Sequence, residues 1–328
     1  MRHNVCGEIR TSVLGFGCGS VLGRVGRAAS LRAMNVAWDE GITLFDTARS
    51  YGFGDAEAVL GEFLRGKREQ AVVATKYGIA PQRLCALKRV TLPLARRALQ
   101  VPGVRRLVRR DGGHGAACGQ FSVAGLRASV DASLRQLRTD HLDLLFLHEA
   151  TASTIYQQNL MAELDTLVQS GKVLHAGLYA SADVVAGSIA NGPAIISAVQ
   201  FGANVFDPMT SGIAELNQRG MLLIANHPFG GVERLARTRE TLASICADET
   251  TPVELREKLR DSNWQTLLEA IFAMILNGEG IHALVLSMMR EDHLRANARA
   301  VASSSFSSAE LALLRKRMLG SPATDISM

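Results

Sequence analysis

The chain reads as a single α/β domain over residues 1–328, a (β/α)8 TIM-type barrel with rim insertions after its third and seventh strands. Three observations predict it. Eight short apolar runs recur along the sequence, amphipathic helical segments alternate with them, and the runs are near-continuous in apolar residues rather than strictly alternating with polar ones. Near-continuous runs are what parallel strands covered on both faces require, and repeated βα units of this kind close into a barrel. A doubly wound open sheet is the other arrangement such units allow.

The strands fall in order. "TSVLGFG" from Thr11 is the first, followed by the helical "SLRAMNVAWDE" from Ser30. "ITLFD" from Ile42 is the second; it stops at a carboxylate and leads through a Gly-rich turn into "DAEAVLGEFLRGK", which opens on Asp55 and closes near Gly66, the expected cap residues. "AVVATK" from Ala71 is the third. The helix "SVAGLRASVDASLRQLRT" from Ser122 precedes the fourth strand, "LDLLFLH" from Leu142, and "IYQQNLMAELDTLVQSGK" from Ile155 precedes the fifth, "KVLHAGLY" from Lys172. "AIISAVQF" from Ala194 is the sixth. "GIAELNQRG" from Gly212 leads to the seventh, "MLLIANH" from Met221, and "WQTLLEAIFAMILNGEG" from Trp264 to the eighth, "IHALVLSM" from Ile281.

Two segments lie outside this repeat. Residues 79–120 hold Pro81, Pro93, Pro102 and the breaker-rich "DGGHGAACGQ"; residues 230–262 follow the seventh strand and are charged and helical from Arg237 on. Insertions after barrel strands sit on the catalytic rim, so both are expected to be lids or specificity loops. Residues 320–328 read as a frayed tail.

Composition narrows the function classes. The 328 residues are 47% hydrophobic and 20% charged, with a formal net charge of +5. An excess this small over so long a chain does not suggest nucleic-acid binding. The Arg-dense stretch 87–110 is broken by prolines and lacks stacking aromatics, so a solvated helical lid is expected there, with arginines placed to meet any acidic substrate. Five scattered cysteines show no metal-ligand spacing, no apolar stretch is long enough to span a membrane, and no signal core opens the chain. A cytoplasmic protein with reduced thiols, no catalytic metal and no membrane or nucleic-acid partner is expected. Oligomeric state is left open.

In a (β/α)8 barrel the reacting side chains project from the C-terminal strand ends. The second strand ends in Asp46, the third in Lys76 and the fourth in His148, and Tyr51 lies on the loop leaving the second. One rim therefore gathers a carboxylate, an ammonium, an imidazole and a phenol. The expectation is that Asp46 holds Lys76, that Lys76 lowers the pKa of Tyr51, and that His148 orients a substrate oxygen. Such an acid suits delivery of a proton to a carbonyl oxygen as hydride reaches the carbon. No side chain supplies hydride, so a nicotinamide is implied.

These residues resemble the aldo-keto reductase family. The resemblance rests on "GITLFDTARSYGFGDAEAVLGEFL", "VVATKYG", "SLRQLRTDHLDLLFLHE", "LGFGCGS", "QSGKVLHAGL" and "REDHLRAN", and covers nearly the whole chain. It implies Tyr51 as general acid/base, Asp46 and Lys76 as its supports and His148 as the substrate-orienting residue. It also implies NADPH or NADH, with Gln200 on the carboxamide, Asn297 on the adenine and Arg290 near the adenosine phosphate; Arg290 favours NADPH over NADH. Ser287 and His293 stand where the family has other phosphate-side residues. Gly17 and Cys18 belong to the first barrel loop, against the nicotinamide, and Asn226, Pro228, Phe229 and Gly230 to the loop after the seventh strand.

Two departures stand out. The family commonly has Ser-Asn after the fifth strand, where this chain has Tyr179 and Ala180, and a nicotinamide-stacking Tyr after the seventh, where it has Asn226. Tyr179 is a candidate for the missing aromatic face. The expected activity is reduction of an aldehyde or ketone, or oxidation of the matching alcohol. The alternatives are an NAD-linked sugar (aldose) dehydrogenase running the same four residues oxidatively, and a cofactor-sensing barrel without turnover.

Overall fold

The computed structural model describes residues 1–23, 25–82, 119–189, 192–207, 211–260, 263–277 and 280–320. Its strands are β1 (His3–Cys6), β2 (Ile9–Ser12), β3 (Leu14–Gly17), β4 (Leu44–Asp46), β5 (Val72–Tyr77), β6 (Leu142–His148), β7 (Val173–Tyr179), β8 (Ile196–Gly202), β9 (Leu222–Asn226) and β10 (Ala283–Leu286). Strands β3 to β10 close in sequence order into an eight-stranded parallel barrel, β10 pairing with both β9 and β3. The open-sheet alternative is thereby excluded.

Around the barrel run α1 (Arg27–Asp39), α2 (Ala56–Phe63), α3 (Val123–Leu137), the single turn α4 (Ala152–Ile155), α5 (Gln158–Gln169), α6 (Ala182–Ile189) and α7 (Ser211–Gln218). Helices α8 (Val232–Ala247) and α9 (Val253–Arg260) occupy the segment after β9, and α10 (Trp264–Leu276) leads to β10. Two more, α11 (Glu291–Ala302) and α12 (Ser308–Gly320), follow it. Side-chain caps form at Ser122, whose hydroxyl accepts from Gly125 N at 3.1 Å, and at Asn263, whose Oδ1 accepts from Gln265 N at 2.8 Å and Thr266 N at 3.1 Å; Asp55, expected to cap α2, stands at its N-cap without a side-chain cap bond.

Side-chain parity divides each strand between two cores. Leu44, Ala74, Leu144, Phe146, Ala198, Leu222 and Ile224 point into the barrel, while Phe45, Val73, Leu145, Leu147, Val199 and Phe201 pack against the helices. Continuing the inward parity to the strand ends reaches Asp46, Lys76, His148, Gln200 and Asn226. The same two-residue period that fills the core thus delivers the polar residues to its upper end.

The first strand differs from expectation. Only Leu14–Gly17 belongs to the barrel; Ile9–Ser12 pairs antiparallel with His3–Cys6. Ser12 is the cause, because its Oγ accepts from Thr43 N at 3.0 Å and Leu44 N at 3.1 Å, so a side chain takes over the pairing and the backbone turns away. From this hairpin Cys6 and Ile9 enter the inner core and close the N-terminal end of the barrel.

After β5 the chain departs at Gly78 and returns at Gln120, whose N–H donates to Gly78 O at 3.0 Å. The insertion therefore starts and finishes at one point of the rim. The lid expected over 87–110, Cys85 and Cys118 within 79–120, and all but the first residue of the tail lie outside the described residues. Among the described residues no helix is long and apolar enough to cross a membrane.

Candidate active site

Asp46 and Lys76 meet inside the barrel mouth. Lys76 Nζ donates to Asp46 Oδ1 at 2.6 Å and Oδ2 at 2.7 Å, and to Thr47 O at 3.0 Å. Lys76 is 1% exposed and Asp46 5%, so this is a buried ion pair with additional hydrogen bonding. Burial pushes the Asp46 carboxyl up, and the ammonium opposes that shift.

Tyr51 arrives on a tight turn. Its N–H donates to Ala48 O at 3.0 Å, and Gly52 follows at φ 57°. A Cβ at Gly52 would lie 2.9 Å from Val21 O, so both conformation and space require glycine. Tyr51 is placed with its ring 5.0 Å from Lys76 Nζ.

Contact through the ring corrects one expectation. The ammonium's three donors are matched by three acceptors other than the phenol, and its charge is balanced by its own carboxylate. Burial, followed by the field of Asp46, pushes the Tyr51 phenol above the ordinary tyrosine value rather than below it. The site holds this residue as a neutral, protonated phenol.

His148 stands edge-on to two phenols, 6.1 Å from Tyr51 and 5.1 Å from Tyr179 between ring centroids. Burial, reinforced by Lys76, lowers its pKa to about 3, so the imidazole is neutral at pH 7. This has a stability consequence. Between pH 6.5 and about 3 the unfolded chain takes up a proton at this position that the folded chain refuses, so stability falls as pH drops through that window. Urea denaturation across the window should show a shallower pH slope for His148→Asn than for the wild type; equal slopes would contradict the neutral assignment.

The next three strands add amides and a second phenol. Tyr179 registers beside Gln200, and Gly202 beside Asn226. Gln200 is 1% exposed and Asn226 8%, yet Gln200 Oε1 and Asn226 Oδ1 are buried acceptors without a donor among the described residues. The Asn226 amide lies beside the Tyr179 phenol, and Lys76 Nζ lies 5.7 Å from the Tyr179 ring.

The remaining expected site residues divide. Gly17 pairs with Asp46, and its carbonyl accepts from Ser287 Oγ at 3.2 Å, which joins the first and last barrel strands at the mouth. Cys18 is fully buried, and burial pushes its thiol up. Pro228 is buried and Gly230 takes φ 60°, but the Phe229 ring packs on Trp264 at 6.2 Å and Phe272 at 5.9 Å, as part of the helical layer. Arg290 caps α11, with exposed His293 and buried Asn297 further along it. Arg290 Nε donates to Asp292 Oδ1 at 3.0 Å, so a neighbouring carboxylate already holds the guanidinium.

Two residues at this end were not singled out from the sequence. Glu149, directly after His148, is exposed and adopts φ 55°, one of four non-glycine residues, with Leu22, Phe53 and His227, that take positive φ in loops following barrel strands. Glu57, on α2, is 1% exposed. Its signal was a carboxylate spaced with Leu60 and Leu64 on the apolar stripe of the helix. Among the described residues no group of three His, Cys, Asp or Glu is placed to hold a metal ion.

Comparison with known proteins places this geometry in context. Residues 13–317 match the family model described as Aldo/keto reductase family. D-threo-aldose 1-dehydrogenase of a Pseudomonas species is 36% identical over 141 residues, 42% of this chain and 39% of that protein. Pyridoxal 4-dehydrogenase of Microbacterium luteolum is 32% identical over 150 residues, 43% of this chain and 40% of that protein. Norsolorinic acid reductase of Aspergillus flavus is 29% identical over 175 residues, 51% of this chain and 37% of that protein. These alignments span well under half of the relatives' own length. Among solved structures, the holo form of the aldo-keto reductase AKR11C1 from Bacillus halodurans superposes with TM-score 0.68 at 21% identity, covering 97% of this chain and 96% of that one. At that identity the likeness concerns the fold.

Proposed function

The chain belongs to the aldo/keto reductase family, and on that premise we propose that it is a nicotinamide-dependent oxidoreductase that interconverts a carbonyl and an alcohol, with Tyr51 as the proton-transferring residue. The observation that carries this reading is the pair of orphaned amide oxygens, Gln200 Oε1 and Asn226 Oδ1, at strand ends of the same barrel mouth that holds the buried neutral phenol. A buried acceptor without a donor is costly, and a primary carboxamide presents two N–H donors. The residues present therefore fit a nicotinamide, with Gln200 and Asn226 toward the carboxamide and Tyr179 as an aromatic wall beside them.

When bound, the reduced nicotinamide supplies a hydride to the carbonyl carbon. Tyr51 passes its proton to the carbonyl oxygen, which becomes the alcohol. The raised pKa keeps that proton in place at neutral pH until charge develops on the substrate oxygen. Neutral His148 donates one N–H to the same oxygen and orients it, and the Asp46–Lys76 pair places a fixed cation beside the phenolate that remains. Burial of the group excludes water from the exchange.

Arg290, His293, Asn297 and Ser287 are assigned to the adenosine end, and Arg290 favours the additional phosphate of NADPH. Asp292 opposes this by occupying the guanidinium. The similarity to an aldose dehydrogenase favours a second reading, NAD-linked oxidation of a sugar through the same residues.

Quenching of tryptophan fluorescence by each cofactor, together with initial rates over a panel of aldehydes, ketones and aldoses, tests the proposal and separates the two directions. Binding by NADPH with carbonyl reduction is the expected result; NADH with aldose oxidation selects the second reading. Absence of binding at millimolar cofactor overturns both and leaves a barrel without turnover.

A further inference from the structure

One buried carboxylate outside the barrel mouth takes no part in the reaction described. Glu57 lies in the first turn of α2, between the helical layer and the outer face of β5. It accepts three hydrogen bonds, from Arg49 Nη1 at 2.9 Å, Thr75 Oγ1 at 2.7 Å and Ser133 Oγ at 2.7 Å. Each donor comes from a different element. Ser133 belongs to α3, Thr75 is the residue before Lys76 on β5, and Arg49 lies on the loop between Asp46 and Tyr51. Arg49 is itself only 11% exposed in its side chain.

We propose that Glu57 is a positioning residue for Tyr51, tying the loop that carries the phenol to the strand that carries Lys76 through its contacts with Arg49 and Thr75. The proposal rests on Tyr51 being the proton-transferring group. Thr75 points outward and Lys76 inward by strand parity, so the carboxylate sits directly behind the wall from which the ammonium projects. From Asp46 to Tyr51 the chain is short and ends in a turn with Gly52 and Phe53 both at positive φ, which suits Gly52 but is a conformation that the backbone of Phe53 does not favour. The Arg49 to Glu57 ion pair supplies the missing constraint from outside. Burial is the largest cause that raises the Tyr51 pKa, so a loop released from this anchor admits water to the phenol and lets its pKa fall.

Two substitutions separate positioning from a direct field effect. Glu57→Gln removes a negative charge and Arg49→Met a positive one, so a through-space effect would move the phenol in opposite directions, whereas a released loop moves it downward in both. Titration of the chain labelled at tyrosine Cζ, followed by NMR with the signal assigned through Tyr51→Phe, reads this without any turnover. The expected result is that Tyr51 titrates at lower pH than in the wild type in both variants, with recovery in Arg49→Lys and unmoved signals for Tyr77 and Tyr156. In parallel, kcat falls about 10- to 100-fold with cofactor binding retained.

Opposite shifts, no shift in folded variants, or equal shifts of all the tyrosines would overturn the proposal. A common downward shift in both variants, beside a wild type that lacks Tyr51-dependent turnover, would instead uphold the anchor and overturn the reductase reading. Should Glu57→Gln fail to fold, Arg49→Met and Arg49→Lys decide the matter alone, because a downward shift with recovery is predicted only by positioning.

Discussion

Replacing Tyr51 by Phe is expected to lower kcat for carbonyl reduction by about 100- to 10,000-fold, the usual range for loss of a positioned general acid. The substitution removes one oxygen and leaves the ring that packs 5.0 Å from Lys76 Nζ. Cofactor binding should therefore stay within about twofold, and the melting temperature should hold or rise, because a buried polar group has been removed without creating a cavity. The discriminating measurement is kcat beside the cofactor Kd by fluorescence quenching. A variant that keeps kcat would assign the proton to another group, and Tyr179, the second phenol at the mouth, would be the first to test.

Lys76→Met is expected to cost about 3–5 kcal/mol of stability at neutral pH, because it leaves the Asp46 carboxylate buried without its counter-charge. Lost packing contributes little, since Met fills most of the volume of a side chain that is 1% exposed. The sign of the pH dependence follows from the same argument. Burial already pushes the Asp46 carboxyl up in the intact pair, and without Lys76 nothing opposes that shift. In the variant the folded state holds a proton that the unfolded state releases above pH 3.8, the ordinary carboxyl value, so stability declines as pH rises from there and the deficit is smallest in acid. The double variant Asp46→Asn with Lys76→Met should recover most of the loss at neutral pH. Guanidinium denaturation at two pH values measures both variants beside the wild type, and a deficit independent of pH would count against an uncompensated carboxylate. Activity is expected to fall in both variants, since the fixed cation beside the phenol is gone.

The barrel was legible because its signal is periodic. Strands such as "LDLLFLH" are apolar on both faces, and a polar residue at the end of such a run stands out, which is how Asp46, Lys76 and His148 were found. Parity then accounts for Gln200 and Asn226 without further information. Electrostatic direction was harder to read. The sequence places an ammonium near a phenol, but only the folded arrangement shows that the donors of Lys76 go to Asp46 and Thr47, leaving burial to govern Tyr51. The bend at Val13 was hidden for a related reason, since it depends on a Ser12 side chain bonding to a segment some 31 residues away. Helix α11 opens on Arg290 and closes on Ser303 without a side-chain cap, whereas α12 opens on a capping box in which Ser307 and Glu310 each bond the other's backbone N–H. The role of Glu57 depends on Arg49, Thr75 and Ser133 converging on it from three elements, which no local pattern in the sequence shows.

The hairpin β1–β2 closes one end of the barrel with Cys6 and Ile9. Above it the interior is filled by Leu44, Leu144, Phe146 and Ile224, so among the described residues the approach to Tyr51 is by the mouth. In the proposed reaction the proton that recharges Tyr51 must come in by the route along which the alcohol departs, so recovery of the enzyme waits on clearance of the product, and a slow-leaving alcohol would slow reprotonation along with it.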